Sequence, residues 1–541
     1  MPAHGTTRRA FLQRAGAAAL TLSTLDLAFA ERVRAQALNA HFTRMFPDLP
    51  AFGAGQDTAA VLADLALLTS PGNVNAPAAG PDAPMVEPGG TDDTLFGAWF
   101  TYWGQGFICH DVSFDQVPQP SATVNVNGIT DYESPLIDCS QVYGGGPLVL
   151  PALFKANKFV LETNGNGVLD VARNPDGSAI VADPRQDENF ITISMQVAMR
   201  AFHNAIVDEF NYPFAQAMEL VVKHDQWITL HQWLPQIVGQ DIVNGLLDGS
   251  LKRFYTPGLV PEYTSVPVEW STAAMRLHPM VRNAYAVQLR TNGTQAYPNN
   301  RNQLINGTGG QNGTGDLHGG RPLFETIDWG NFVNELARGN FNPANGTDSF
   351  LQAYKQIIPQ LGASLFLMPV GQTGGLVTAT GSINLAYRDL VRGYFYAIPS
   401  GQAVAEAMGY TPIDPVELLQ GLPTPVDPDT VPTLTTGTPL WLYILYEALV
   451  SATDPAPNGF EAYLQPRTQA DGSKTFGPYQ LGPVGGRLLA DFVLRLLEID
   501  PNGILNPANL FTPEPPIAPA PGQFGFGDLA VFAGVATRPS T

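Results

Sequence analysis

The run FITISMQVAMRAFHNAIVDEF, residues 190–210, most constrains what this chain can become. Its apolar residues recur at three- and four-residue spacings, a period that suits an α-helix with a buried face and not a strand. The same spacing predicts helices over 230–247, 400–409, 439–452 and 485–499. Strand-like alternation is scarce. Loops rich in Pro, Gly and Asn separate the helical runs at 70–92, 291–320 and 422–437, and the chain holds 47 Pro and 54 Gly in all. A fold of this kind is mainly α, with long loops and little β.

Such helices need a shared core, and 44% apolar against 14% charged residues supplies one. The 541 residues could fill two to four average domains. No internal repeat and no dividing linker is visible, so one large domain over 91–541 is expected, preceded by an N-terminal extension at 31–90. A net charge of −20 and a pI near 4.7 exclude a phosphate-backbone binder, and no nucleic-acid partner is expected.

The segment TTRRAFLQRAGAAALTLSTLDLAFA resembles a bacterial twin-arginine export signal, with Arg8 and Arg9 before an Ala/Leu-rich run that ends near Ala30. It predicts a leader over 1–30 and a periplasmic or extracellular destination. The competing reading is an ordinary N-terminal helix. The run is too short and weakly apolar for a stable membrane span. Asn292, Asn306, Asn312 and Asn345 each open an Asn-Gly-Thr triplet. Beside a bacterial-type leader these read as turns rather than glycosylation sites.

The eight histidines are scattered, with no HExxH and no three-histidine cluster. Chemistry must therefore come from several segments in order. In WGQGFICHDVSFD (103–115), His110 and Asp111 sit side by side in an apolar stretch, where imidazole and carboxylate are costly unless paired. In YESPLIDCSQVYGGG (132–146), oxygen donors fall at alternate positions: Ser134, Leu136 through its carbonyl, Asp138 and Ser140. In an extended chain alternate residues face one side. Asp111 would complete an oxygen cage that suits calcium.

WGQ…HD followed by DxSQVYG resembles the animal-type haem peroxidase superfamily, in its bacterial branch. The likeness runs in order from about residue 90 to 505. It continues through DPRQDEN (183–189), RxxHN within 200–204, AAMRLHPMVRNAY (273–285) and DLVRGYFYAIPSGQ (389–402). The resemblance implies haem b, with His110 as distal base, Arg185 stabilising charge during O–O cleavage and His278 as axial iron ligand. It implies calcium held by Asp111, Ser134, Leu136, Asp138 and Ser140. The catalytic domain would reduce H2O2 and oxidise small phenolic or halide donors.

Departures from the family pattern matter too. The family glutamine stands four residues before the distal histidine; here Gln105 is five before, which predicts a helix bulge between them. Cys109 replaces an ester-forming aspartate, so at most one ester link to haem is implied, through Glu188. Counting back from Pro399 places Asp389 where the family has the asparagine partner of the axial histidine, with Arg392 close by. A carboxylate there should push His278 toward imidazolate more strongly than an amide.

Three readings of Cys109 and Cys139 stay open: a disulfide, two buried thiols, or Cys109 facing the haem. His203 and Asn204 read as packing residues beneath the proximal side. His224 and His231 read as core or surface residues, and Trp99, Phe100, Tyr102 and Trp103 as core. Two rival functions remain. A fatty-acid dioxygenase of the same fold needs a tyrosine three residues before the axial histidine, where this chain has Met275. A secreted adhesion module without haem would not need His110, Arg185 and His278 together.

Overall fold

A computed structural model describes residues 41–69, 93–163, 169–256, 264–286, 327–336, 351–369, 382–451 and 479–538, apart from a few single positions that include Glu188. Met85 and short pieces at 302–304, 467–468 and 474–475 are described as well. The expected leader over 1–30, the four Asn-Gly-Thr triplets, His318 and most of the loops at 70–92 and 291–320 lie outside the described residues.

The helices of the core are, in chain order, α1 (Thr58–Thr69), α2 (Trp99–Trp103, prolonged to Val112), α3 (Phe190–Phe210), α4 (Phe214–Ile228) and α5 (Gln240–Leu247). They continue as α6 (Leu385–Phe395), α7 (Leu440–Ser451), α8 (Pro483–Ile499) and α9 (Phe526–Phe532). Strands among the described residues form only two-stranded pieces. The architecture is mainly α, as the spacing of apolar residues predicts.

Helix α3 has the predicted bounds because both ends carry their own stop. The Asn189 side chain accepts from the Thr192 N–H at 2.8 Å, and Asn211 closes the other end with φ of 52°. The run 230–247 is not one helix. Thr229–Trp233 is a π-helical turn on α4, Leu234–Val238 is a short helix, and Gly239 at φ 88° precedes α5. Pro235 has no N–H to give, and a left-handed glycine ends a helix, so apolar spacing alone overran the break. The part of helix α4 before His224 was not anticipated, because polar residues interrupt its apolar face.

Helix α8 runs through the middle, buried on nearly every side, and packs against α5, α7 and the 270–274 turn. Residues 41–69 do not extend away from this core. Phe42–Thr43 pairs in parallel with Val266–Pro267, and Arg44 donates to the carbonyls of Tyr396 and Ala397 at 2.7 Å each. The N–H groups of Met45 and Phe46 bind Glu269, and α1 packs on α6. This strap ties the N-terminal part to the two segments, 264–282 and α6, that supply the site described below.

At the start of α8, the buried Glu447 carboxyl takes the N–H groups of Val484 and Gly485 at 3.0–3.2 Å. Burial outweighs these donors and pushes its pKa up from 4.5 to about 8. The folded state therefore holds a proton that the unfolded chain releases. Its contribution to stability is full below the unfolded value and fades as pH rises through about 8. Thermal denaturation scans should show stability declining between those limits, with Glu447→Gln flattening the decline.

Candidate functional site

Helix α2 takes in one extra residue just before His110. Gly104–Cys109 is a π-helical turn, in which the His110 N–H reaches back five residues to the Gln105 carbonyl. The bulge turns Gln105 aside, and its side-chain oxygen meets Asn189 Nδ2 at 3.5 Å. The Gly106 carbonyl accepts two side-chain amides, Gln141 Nε2 at 3.0 Å and Gln186 Nε2 at 3.2 Å. Gln186 Nε2 also lies 3.3 Å from His110 Nδ1. Neither glutamine was a sequence candidate, since their positions depend on the carbonyl that the bulge exposes.

His110 is 6% exposed. Burial and the Arg185 charge bring its pKa down to about 3, so the ring is neutral across the physiological range. Arg185 spends all three of its side-chain nitrogens on the protein. Its Nη2 donates to the His110 carbonyl at 2.9 Å and to Asp183 at 2.6 Å, and Nη1 donates to the Ser113 carbonyl at 2.8 Å. Nε binds Asp183 as well, and the Phe114 ring lies 4.1 Å from the guanidinium carbon. A cation this deep needs a counter-charge and full hydrogen bonding. Here it clamps the end of α2, and its field reaches His110 through the backbone.

Asp111 meets Asp138, Ser140 and Glu133. Oδ2 accepts the N–H groups of Asp138 and Cys139 at 2.9 and 3.0 Å. Oδ1 accepts the Ser140 N–H at 2.6 Å and its hydroxyl at 3.1 Å. Three backbone N–H groups thus point at this carboxylate, while the Ser140 hydroxyl lies nearer to Glu133, at 2.7 Å. Ser134 donates to Asp138 at 2.8 Å, and Leu136 is fully buried. No three His, Cys, Asp or Glu side chains among the described residues converge in ligating geometry. The oxygen-rich chemistry suits calcium, while in this structure the Asp111 carboxylate is spent on the 138–140 backbone. Asp225, unforeseen from sequence, adds a buried carboxyl whose hydrogen-bond partner is the Cys139 thiol. Burial, with Asp138, Asp225 and Glu133 nearby, holds Asp111 well above the ordinary carboxylate range.

The loop therefore depends on Asp111 itself. Asp111→Ala should cost on the order of 3–5 kcal/mol, because it strands buried N–H groups. The loss should be the same with and without a chelator in thermal denaturation. A chelator that lowers the wild-type melting temperature would restore the calcium reading.

On the other side, His278 and Asp389 meet across 111 residues of chain, Nδ1 to Oδ2 at 2.6 Å. Burial raises the Asp389 carboxyl, but His278, Arg276 and Arg388 outweigh it and hold the group below its ordinary value. The carboxylate is thus charged and accepts the Nδ1 proton. The His278 side chain is 24% exposed, while Nε2 is bonded to no described residue. Trp441 stands edge-on at 6.4 Å from this ring and donates to the Arg276 carbonyl at 2.8 Å. An imidazole with Nδ1 fixed and Nε2 open is the donor an iron needs. Arg276 and Arg388 add positive charge suited to a porphyrin's carboxylates. These residues fit haem.

Arg392, expected near the cofactor, binds Asp115 through Nη2 at 2.6 Å and the Tyr396 hydroxyl at 2.5 Å, and it lies close enough to Asp389 for the two charges to interact. Glu188, the candidate ester residue, lies outside the described residues.

Cys109 and Cys139 are free thiols, and Cys139 is buried with φ of 57°. His203 bonds Tyr143 at 3.0 Å and the Asn157 carbonyl at 2.8 Å, while Asn204 brackets Phe159. Both serve the 132–159 region, not the underside of His278. His224 donates to the Leu220 carbonyl at 2.7 Å and packs on Phe511 and Phe524. His231 lies against Trp227. Trp99, Phe100, Tyr102 and Trp103 are all core.

Residues 115–308 match the sequence model of the family described as animal haem peroxidase. The match includes Arg185 and His278 and begins just after Asp111. No curated protein sequence matches. Similar solved structures include peroxidase A from Dictyostelium discoideum, at 16% identity and TM-score 0.48, covering 87% of this chain and 89% of that one. They also include fatty acid alpha-dioxygenases. That of Arabidopsis thaliana is 13% identical at TM-score 0.49, covering 93% of this chain and 87% of its own. That of Oryza sativa is 14% identical at 0.47, covering 81% and 73%. At these scores the structures carry no weight in choosing between the activities.

Proposed function

We propose that this chain, whose residues 115–308 match the animal haem peroxidase family model, acts as a haem peroxidase that reduces H2O2 and oxidises small phenolic or halide donors. The observation that carries this reading is the His278–Asp389 pair at 2.6 Å. It leaves one imidazole nitrogen free for iron and makes that nitrogen electron-rich. Haem, when bound, supplies the redox chemistry of peroxide cleavage.

This chain's own residues do the rest. His278 would hold the iron through Nε2, and Asp389 keeps the proton on Nδ1. Arg276 and Arg388 would face the porphyrin carboxylates. His110, neutral and buried, would take a proton from H2O2 and return it to the departing oxygen. Arg185 holds the His110 and Ser113 carbonyls, so that the ring meets peroxide in one orientation, and lends positive potential to the developing anion.

A fatty-acid dioxygenase would need a radical-forming tyrosine where Met275 sits, 5% exposed; no observation favours that reading. The twin-arginine-like leader supports export, which N-terminal sequencing of protein recovered outside the cytoplasm would test. Among the described residues no helix is long and apolar enough to cross a membrane.

An absorption spectrum with a Soret band, together with H2O2-dependent oxidation of guaiacol, is the expected result for purified protein. Protein that stays colourless after incubation with haemin would rule the reading out.

A further inference from the structure

Among the described residues, the ring that stands against His278 is Trp441, edge-on at 6.4 Å and 1% exposed. Its Nε1–H donates to the Arg276 carbonyl at 2.8 Å, a partner that accepts a hydrogen bond but is no base. Trp441 and the charged Asp389 line one cavity together with Tyr394, and Phe52, Leu390 and Ile398 help to close it. Tyr394 carries the line outward. It is half-buried, and its hydroxyl lies 3.0 Å from Oγ1 of the exposed Thr58. Its ring rests on the backbone of Gly53, where a Cβ would come within 2.9 Å of Cε2. Gly53 also has φ of 72°, so both the close approach and the turn call for a glycine. The strap at 51–58 thus holds Tyr394 with its ring at the cavity and its hydroxyl at the surface.

We propose that Trp441 and Tyr394 form a one-electron route from the cofactor to the surface, and that donors too large to enter the haem pocket are oxidised at the Tyr394 hydroxyl. The inference rests on the peroxidase reading, which supplies the oxidant: one H2O2 takes two electrons and two protons and leaves as two waters. Trp441 gives one electron to the oxidised haem and keeps its Nε1 proton, because the Arg276 carbonyl cannot take it. The Asp389 carboxylate in the same cavity offsets the positive charge left on the indole. An electron from Tyr394 restores Trp441, and the Tyr394 hydroxyl releases its proton to water beside Thr58. The donor then returns one electron, and Tyr394 takes a proton back from solvent. Two such rounds, with two donors oxidised, match the two electrons of one H2O2.

The test is electron paramagnetic resonance on haem-loaded protein, frozen shortly after mixing with H2O2 and without donor. Ring-deuterated tyrosine or tryptophan narrows a radical signal that resides on that residue type. The wild-type signal should narrow with deuterated tyrosine. In Tyr394→Phe, which loses only a hydroxyl, the signal should narrow with deuterated tryptophan instead, and in Trp441→Phe the wild-type signal should be lost. Both substitutions should abolish oxidation of ferrous cytochrome c, a protein donor, while iodide, small enough to enter the pocket, is still oxidised. A radical signal absent from the wild type or unchanged in Tyr394→Phe overturns the proposal, and so does cytochrome oxidation that keeps its ratio to iodide oxidation. Protein that fails these readouts yet takes up haem and reacts with H2O2 leaves the peroxidase reading standing, whereas protein without a Soret band overturns both. If Trp441→Phe does not fold, Tyr394→Phe decides alone.

Discussion

His278→Ala is expected to yield a folded protein that purifies without a Soret band. The side chain is partly exposed, and the polar partner it would leave behind, Asp389, keeps Arg276 4.0 Å away and the Arg388 charge nearby. Folding should therefore survive, and circular dichroism should match the wild type. Haem should not bind, because His278 is the ring that pairs an open Nε2 with the charged Asp389. Asp389→Asn separates the two parts of the claim. It should keep the Soret band while raising the reduction potential, since an amide withdraws the charge that makes His278 a strong donor. Spectroelectrochemical titration reads that shift. A Soret band that persists unchanged in His278→Ala would mean the iron is held elsewhere.

The second large effect belongs to His110. His110→Ala should keep the Soret band and slow the reaction with H2O2 by roughly 10²–10⁴-fold, the usual contribution of a positioned acid–base group. Stopped-flow absorbance measures it directly. The ring's bond to Gln186 and the Arg185 clamp on its carbonyl both lie away from Nε2. Removing the ring thus leaves the clamp in place, and a slowed reaction reports lost proton transfer, not a collapsed helix. An unslowed reaction would remove His110 from the chemistry.

What could be read in the sequence follows from which forces are local. Helix α3 was legible to the residue because its spacing, its Asn189 cap and the Asn211 stop are all written nearby. The 230–247 run was misread because one glycine's backbone conformation, not its polarity, ends the helix. Asp389 could be matched with His278 only through family likeness, since nothing local announces a pair 111 residues apart. The bulge before His110 was visible as one residue too many after Gln105. Its consequence was not visible: an exposed carbonyl recruits Gln141 and Gln186, one of which then reaches the histidine. Arg185 and Arg392 were found as residues but not as arrangements. Each guanidinium pairs with a nearby carboxylate, Asp183 for one and Asp115 for the other.

The most direct trial is anomalous diffraction at the iron edge from crystals of haem-loaded protein. The account predicts one iron peak within bonding distance of His278 Nε2, with His110 over the opposite porphyrin face. An iron peak bound to any other side chain, or a porphyrin that leaves His110 on the same face as His278, would contradict it.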